Sequence, residues 1–186
     1  MNTLNFLTIE PKDHLVQPEE FAGITPDSPA ATIFTDFREH APPVINAEMT
    51  AVEAERLMSN EYVSLKLVVD SNREFIGLVT YEQLCSQNIL KQVANGYSRE
   101  EIKVTDLMIP RERVSAIDYS ELNGSTIAEL VATLKLHGEY FCLVVDKEEH
   151  HIRGVISASE IAKRLHVPVV IERSPTFAEI FIAIVK

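Results

Sequence analysis

The chain has 186 residues, 46% hydrophobic and 24% charged, and carries a formal net charge of −11. That acidity excludes broad nucleic-acid binding and docking on anionic lipid, both of which need a dense Lys/Arg face. The length suits one large domain or two small ones; a unit of about 60 residues is marginal alone, so two of them gain by packing together.

In chain order, residues 1–32 hold Pro11, Pro18, Pro26 and Pro29, which punctuate regular structure. They read as an N-terminal arm wrapped over the rest of the chain or over a partner subunit, with disorder as the alternative. The start, MNTLNFLTIEPKDH, has neither the basic nor the apolar region of a signal peptide. No stretch reaches the roughly 20 apolar residues of a membrane span. A cytoplasmic protein is expected, with Cys85 and Cys142 as reduced packing thiols.

From there the chain is written twice. Leu67-Val68-Val69-Asp70 returns as Leu143-Val144-Val145-Asp146, 76 positions later. At the same offset Thr50-x-x-Glu53 meets Thr126-x-x-Glu129, two capping boxes, each followed by apolar residues at helical spacing. After each LVVD comes a polar turn, then Gly77-Leu78-Val79-Thr80 and Gly154-Val155-Ile156-Ser157, so each copy carries a hairpin. Helices are expected from Tyr81 to Asn95, stopped by Gly96, and from Ala158 to His166. Upstream, Thr35-Asp36-Phe37 before Val44 matches Thr105-Asp106-Leu107 before Val114 at an offset of 70, with the slack placed in a loop at 119–125. Each copy therefore reads strand, helix, strand, strand, helix, an α+β unit. The expected boundaries are 33–97 and 98–167, with a strand/helix extension over 168–186.

The β-α-β-β-α order, the VTDLM segment (104–108), the two LVVD strands, GLVTYEQL (77–84) and GVISASEI (154–161) together resemble a tandem pair of cystathionine-β-synthase-type (CBS) domains over about 33–166. The resemblance implies two sheets packed through their helices with pseudo-twofold symmetry, and two clefts between the copies. It further implies a regulatory rather than catalytic protein, a homodimer, and a ligand such as AMP, ADP, ATP or S-adenosylmethionine, with no required cofactor and with output through an effector protein.

Carried over position by position, the family's ligand segment begins at Gly154 in the second copy and places hydroxyls at Thr80 and Ser157. Its acidic position falls on Gln83 and Glu160. Neither copy has the family's aspartate. Glu160 keeps a charged acceptor, and charge-assisted hydrogen bonds are about twice as strong as neutral ones, so the second cleft is favoured. The base is expected against Val44 and Ile45 or against Val114, Ala116 and Ile117, with Tyr140 and Phe141 nearby; Arg111, Arg113 and Arg164 are the candidate phosphate cations.

Each of these residues has a plainer reading: helix caps, solvated first-turn groups, surface arginines, core aromatics. The run from Asp146 to His151 reads as a solvated hairpin turn rather than a metal site, because adjacent histidines point to opposite faces. No nucleophile-base pattern marks an enzyme.

A third capping box, Thr176-x-x-Glu179, opens a helix with Phe177, Ile180, Phe181 and Ile184 at helical spacing and Ile182 and Val185 on the other face. A helix apolar nearly all round must be buried, either on its own pair or against a partner. The competing reading of the whole chain is a ligand-free dimeric scaffold whose clefts have decayed.

Overall fold

The computed structural model describes residues 23–61, 63–137, 140–167 and 176–184. The first 22 residues of the expected arm and the whole 168–175 stretch before the last helix lie outside them. Two four-stranded sheets carry the fold. The first contains β2 (Val44–Asn46), β3 (Leu65–Val69), β4 (Phe75–Thr80) and β5 (Ile109–Pro110), with α1 (Ala51–Glu61) and α2 (Ser86–Ala94). The second contains β1 (Thr35–Asp36), β6 (Ala116–Asp118), β7 (Phe141–Asp146) and β8 (His151–Ser157). Its helices are α3 (Tyr119–Asn123), α4 (Ile127–His137), α5 (Ala158–Arg164) and α6 (Phe177–Ile184).

The capping boxes form as written. In each, the glutamate accepts from the threonine N–H while the threonine Oγ1 accepts from the glutamate N–H: 3.1 and 3.3 Å at Thr50/Glu53, 2.8 and 3.3 Å at Thr126/Glu129, 2.8 and 3.2 Å at Thr176/Glu179. The two LVVD aspartates also share one job. Asp70 Oδ1 accepts from the N–H groups of Asn72 and Glu74, and Asp146 Oδ1 from those of Glu148 and Glu149, closing each hairpin turn. Each turn contains one left-handed residue, Arg73 (φ 66°) and His150 (φ 55°). The Asp146–His151 run is thus a hairpin, and no group of three His, Cys, Asp or Glu side chains suited to a metal gathers among the described residues.

The sheets meet face to face, not through their helices. The seam buries Leu67, Leu78, Phe141, Leu143 and Val155, with Leu65, Phe75 and Ile152 packed against them. The same positions of both copies fill it, because strand alternation sends Leu65 and Leu67 one way and Lys66 and Val68 the other. Helices cover the outer faces: Ala51, Ala54 and Met58 on the first sheet, Leu130, Val131 and Leu134 on the second. Each fully buried apolar side chain contributes about 1.5–3 kcal/mol, which makes the seam a substantial part of the stability.

Five further expectations are corrected. Backbone pairing sets Thr35 opposite Val155 and Ile109 opposite Leu78, so the leading strands correspond at an offset of 74, not 70. Val44 and Ala116 face the matching Leu67 and Leu143, so Ala116, not Val114, is the counterpart of Val44. Strands of two or three residues leave too little periodicity to fix such a register. Residues 119–123 form α3 rather than a loop, started by Asp118, whose side chain accepts from Ser120 N–H. The helix expected at Tyr81 begins at Ser86, because residues 81–84 close a separate turn. Finally, α6 buries only one face: Phe177 and Ile180 enter the core while Ile182 stays 56% exposed.

Each leading segment crosses to the other copy. Strand β1 pairs with β8 and β5 with β4. Matching bridges, Pro29 to Thr126 and Lys103 to Thr50, hold the turns before them. The crossings explain the two strand glycines. A Cβ on Gly77 would stand 2.6 Å from Ile109 O, and one on Gly154 2.3 Å from Thr35 O. No helix of the described residues is long and apolar enough to cross a membrane.

Candidate functional site

Strands β4 and β8 end in hydroxyl residues, Thr80 opposite Leu65 and Ser157 opposite Phe141. Ser157 is the N-cap of α5: its Oγ accepts from Glu160 N–H (3.2 Å) and lies 3.1 Å from Ser159 Oγ. One turn in, the Glu160 carboxylate accepts from Lys163 Nζ (2.9 Å) and stands 4.0 Å from Arg164 Nε. Arg164 in turn donates through Nη1 to Thr32 O (2.6 Å), tying α5 to the leading segment of the chain. Two hydroxyls, a carboxylate and two cations therefore converge at this strand end. Ser159 and Lys163 belong to the cluster although their spacing gave no signal; only the register of a helix starting at Ser157 reveals them.

The Thr80 end is built differently. Thr80 N–H donates to Gln83 Oε1 (2.8 Å), and Gln83 N–H to Thr80 Oγ1 (3.4 Å). This box closes a single turn, after which Cys85 caps α2 and Asn88 Nδ2 donates to the carbonyls of Glu82 and Gln83 (both 3.2 Å). Since a backbone N–H must meet an acceptor, the amide oxygen of Gln83 is committed inward.

The remaining candidates scatter. Val44 is 45% exposed at the edge of the first sheet, whereas Ile45 is buried under α1. Ala116 is exposed, Ile117 packs into the outer core of the second sheet and Val114 into the seam. Tyr140 is 38% exposed beside the Ser157 end, where its carbonyl accepts from Ala158 N–H (2.9 Å). Phe141 is buried in the seam, with no face open for stacking. Arg111 donates to Phe75 O (3.3 Å) at the hairpin end of β4, and Arg113 shares its exposed turn; Phe75 is five residues from Thr80 along the strand. Gly154 is taken up by the crossing of β1.

Sequence pattern gave no hint of a bidentate pair nearby. Arg153 donates through Nε to Asp36 Oδ1 (2.9 Å) and through Nη2 to Asp36 Oδ2 (2.7 Å), with its guanidinium 4.2 Å from the Tyr119 ring centre. The Arg153 hydrogen bonds hold the Asp36 carboxyl below the usual carboxylate range, against the opposing effect of burial. The counterparts in the first sheet, Ile76 and Pro110, are apolar. An open groove of about 610 Å³ lies elsewhere, between Asn46, Glu48 and Met49 and the Glu53, Arg56, Leu57, Asn60 stripe of α1. None of the nominated residues lines it.

Two crossed β-α-β-β-α copies with hydroxyl-capped strand ends make up the fold. Residues 31–87 match the family model of the CBS domain. A search of the curated proteins finds no match to the chain. Among solved structures, an uncharacterized conserved protein from Pyrococcus horikoshii is similar over 78% of this chain and 97% of its own, at 16% identity and a TM-score of 0.55. A hemolysin-like protein containing a CBS domain from Oenococcus oeni matches over 78% and 96%, at 16% identity and a TM-score of 0.55. CBSX2, solved in complex with AMP, matches over 73% and 94%, at 16% identity and a TM-score of 0.52. The chain carries a CBS domain over residues 31–87 and has the fold of a tandem CBS pair.

Proposed function

We propose that the protein is a cytoplasmic regulatory CBS pair that binds an adenosine-containing ligand, AMP, ADP, ATP or S-adenosylmethionine, at the Ser157 strand end. As a homodimer it passes occupancy to an effector protein, without catalysis. The observation that carries this reading is the convergence of Ser157, Ser159, Glu160, Lys163 and Arg164. Hydroxyls and cations suit phosphate, and a carboxylate suits ribose hydroxyls. The AMP complex of CBSX2, which shares the fold, supports the ligand class.

Titration calorimetry and thermal shift with the four ligands test it. A ligand at 100 times its Kd stabilises by about 2.7 kcal/mol. No heat and no shift with any of the four would overturn the reading, as would turnover of a nucleotide. Glu160→Ala is expected to weaken binding more than Gln83→Ala; the reverse order would move the site to the Thr80 end.

A second reading, a ligand-free dimeric scaffold, is favoured by one observation: Thr80 and Gln83 satisfy one another within the chain. A stable partner that co-purifies with a protein binding none of the four ligands would establish it.

A further inference from the structure

The crossing of the leading segments has a consequence for how the molecule opens. The outer core of the first sheet is continuous in sequence: among the described residues, every buried member lies between Ile45 and Val104. Residues 44–110 supply all four strands of its sheet, β2 through β5. The outer core of the second sheet is discontinuous. It takes Ala30, Ile33 and Phe34 from the segment before β2, and the remainder from Leu122 to Ile180. Its edge strand β1 also comes from there, fixed by the bidentate pair between Asp36 and Arg153. Exposed residues 38–42 connect that segment to the first sheet.

We propose that the two units are nested rather than tandem. Residues 43–110 form one folding unit, inserted into a second made of 24–37 and 114–184, and segment 26–37 is a strap whose release opens the second unit alone. The repeats seen in sequence, and the family match over 31–87, cut across these units because they assign the strap to the first copy.

Beyond the seam that both units share, dependence through the strap runs one way. Unit 43–110 closes its core with near neighbours, whereas the second must bring the strap back across the whole inserted unit. A folded insert holds the strap close to β8; an unfolded one leaves a loop of about 70 residues, whose closure costs entropy. Opening of the insert therefore frees the strap, while opening of the strap leaves the insert closed.

Hydrogen exchange of the full-length chain, read by mass spectrometry, distinguishes this from a tandem arrangement. Ile33→Ala, within the first sequence copy, is expected to speed exchange in 116–164 by about tenfold or more and to leave 44–80 within about twofold. Val104→Ala, near the start of the second copy, is expected to speed exchange in both stretches. Where Ile33→Ala does not fold, Ile33→Val carries the same test with a smaller ratio. Equal acceleration of both stretches by the Ile33 variant, or acceleration of 44–80 alone, would overturn the nested assignment.

Discussion

Arg153→Ala removes one partner of an ion pair whose side chains are only 11% and 14% exposed. Breaking such a pair from one side strands a charge, and the loss is about 3–5 kcal/mol, larger than the net worth of the intact pair. The stacking on Tyr119 goes with it. For a chain of this size each kcal/mol moves Tm by about 2–4 °C, so a fall of roughly 6–20 °C is expected. The double variant Asp36→Leu with Arg153→Met should recover most of the loss, because a matched apolar pair leaves no stranded charge. Acid titration supplies a second signature. Asp36 sits below its ordinary value of 3.8 in the folded protein, so its contribution is complete above that value and is lost as pH falls through the lower folded one. Urea unfolding between pH 5 and about pH 2.5 should show this slope in the parent protein and a weaker one in Arg153→Ala. A Tm within 1 °C of the parent, or an unchanged acid slope, would show that the pair does not hold β1 to its sheet.

Gly154→Ala places a Cβ 2.3 Å from Thr35 O, a backbone atom that cannot step aside. It should cost about 1–3 kcal/mol or more in urea unfolding, and retained stability would mean β1 does not cross there. Thr126→Ala removes an N-cap and should cost about 1 kcal/mol, with Thr126→Ser recovering most of it. Phe177→Ala empties a site that is 1% exposed and should cost about 3–5 kcal/mol; a neutral result would mean α6 docks elsewhere.

What could be read from sequence was whatever repeated. Three Thr-x-x-Glu boxes, two LVVD strands and the strand glycines each appear with matching geometry, because local rules, caps and alternation, produce them. The leading strands could not be placed, since Thr35–Asp36 and Ile109–Pro110 are two residues long and pair with the distant copy. The turn at 81–84 was hidden because the Thr80/Gln83 box is also a plausible helix start, and nothing local shows that the chain breaks again at Cys85. At the candidate site, Ser157 and Glu160 were legible as a cap and a first-turn acid. The pair of Asp36 and Arg153 spans 117 positions and has a counterpart of Pro110 and Ile76 in the other sheet, so neither local spacing nor repetition marks it.

The two copies are most alike where they touch and least alike at their polar rims, and there is a physical reason. A seam filled by equivalent positions must be self-complementary: Leu67 and Leu143, Leu78 and Val155, Leu65 and Phe141 share one buried layer, so a change in one must be absorbed by the other. No such constraint couples the rims. There the second sheet with its helices carries Asp36, Arg153, Ser159, Glu160 and Lys163, where the first carries Pro110, Ile76, Glu82, Gln83 and Ser86. A symmetric interior with unlike rims lets a charged ligand tell the two ends apart while the fold remains indifferent to the difference. The carboxylate and cations gathered at Ser157 are therefore free to be selected for binding in a way that the seam residues are not.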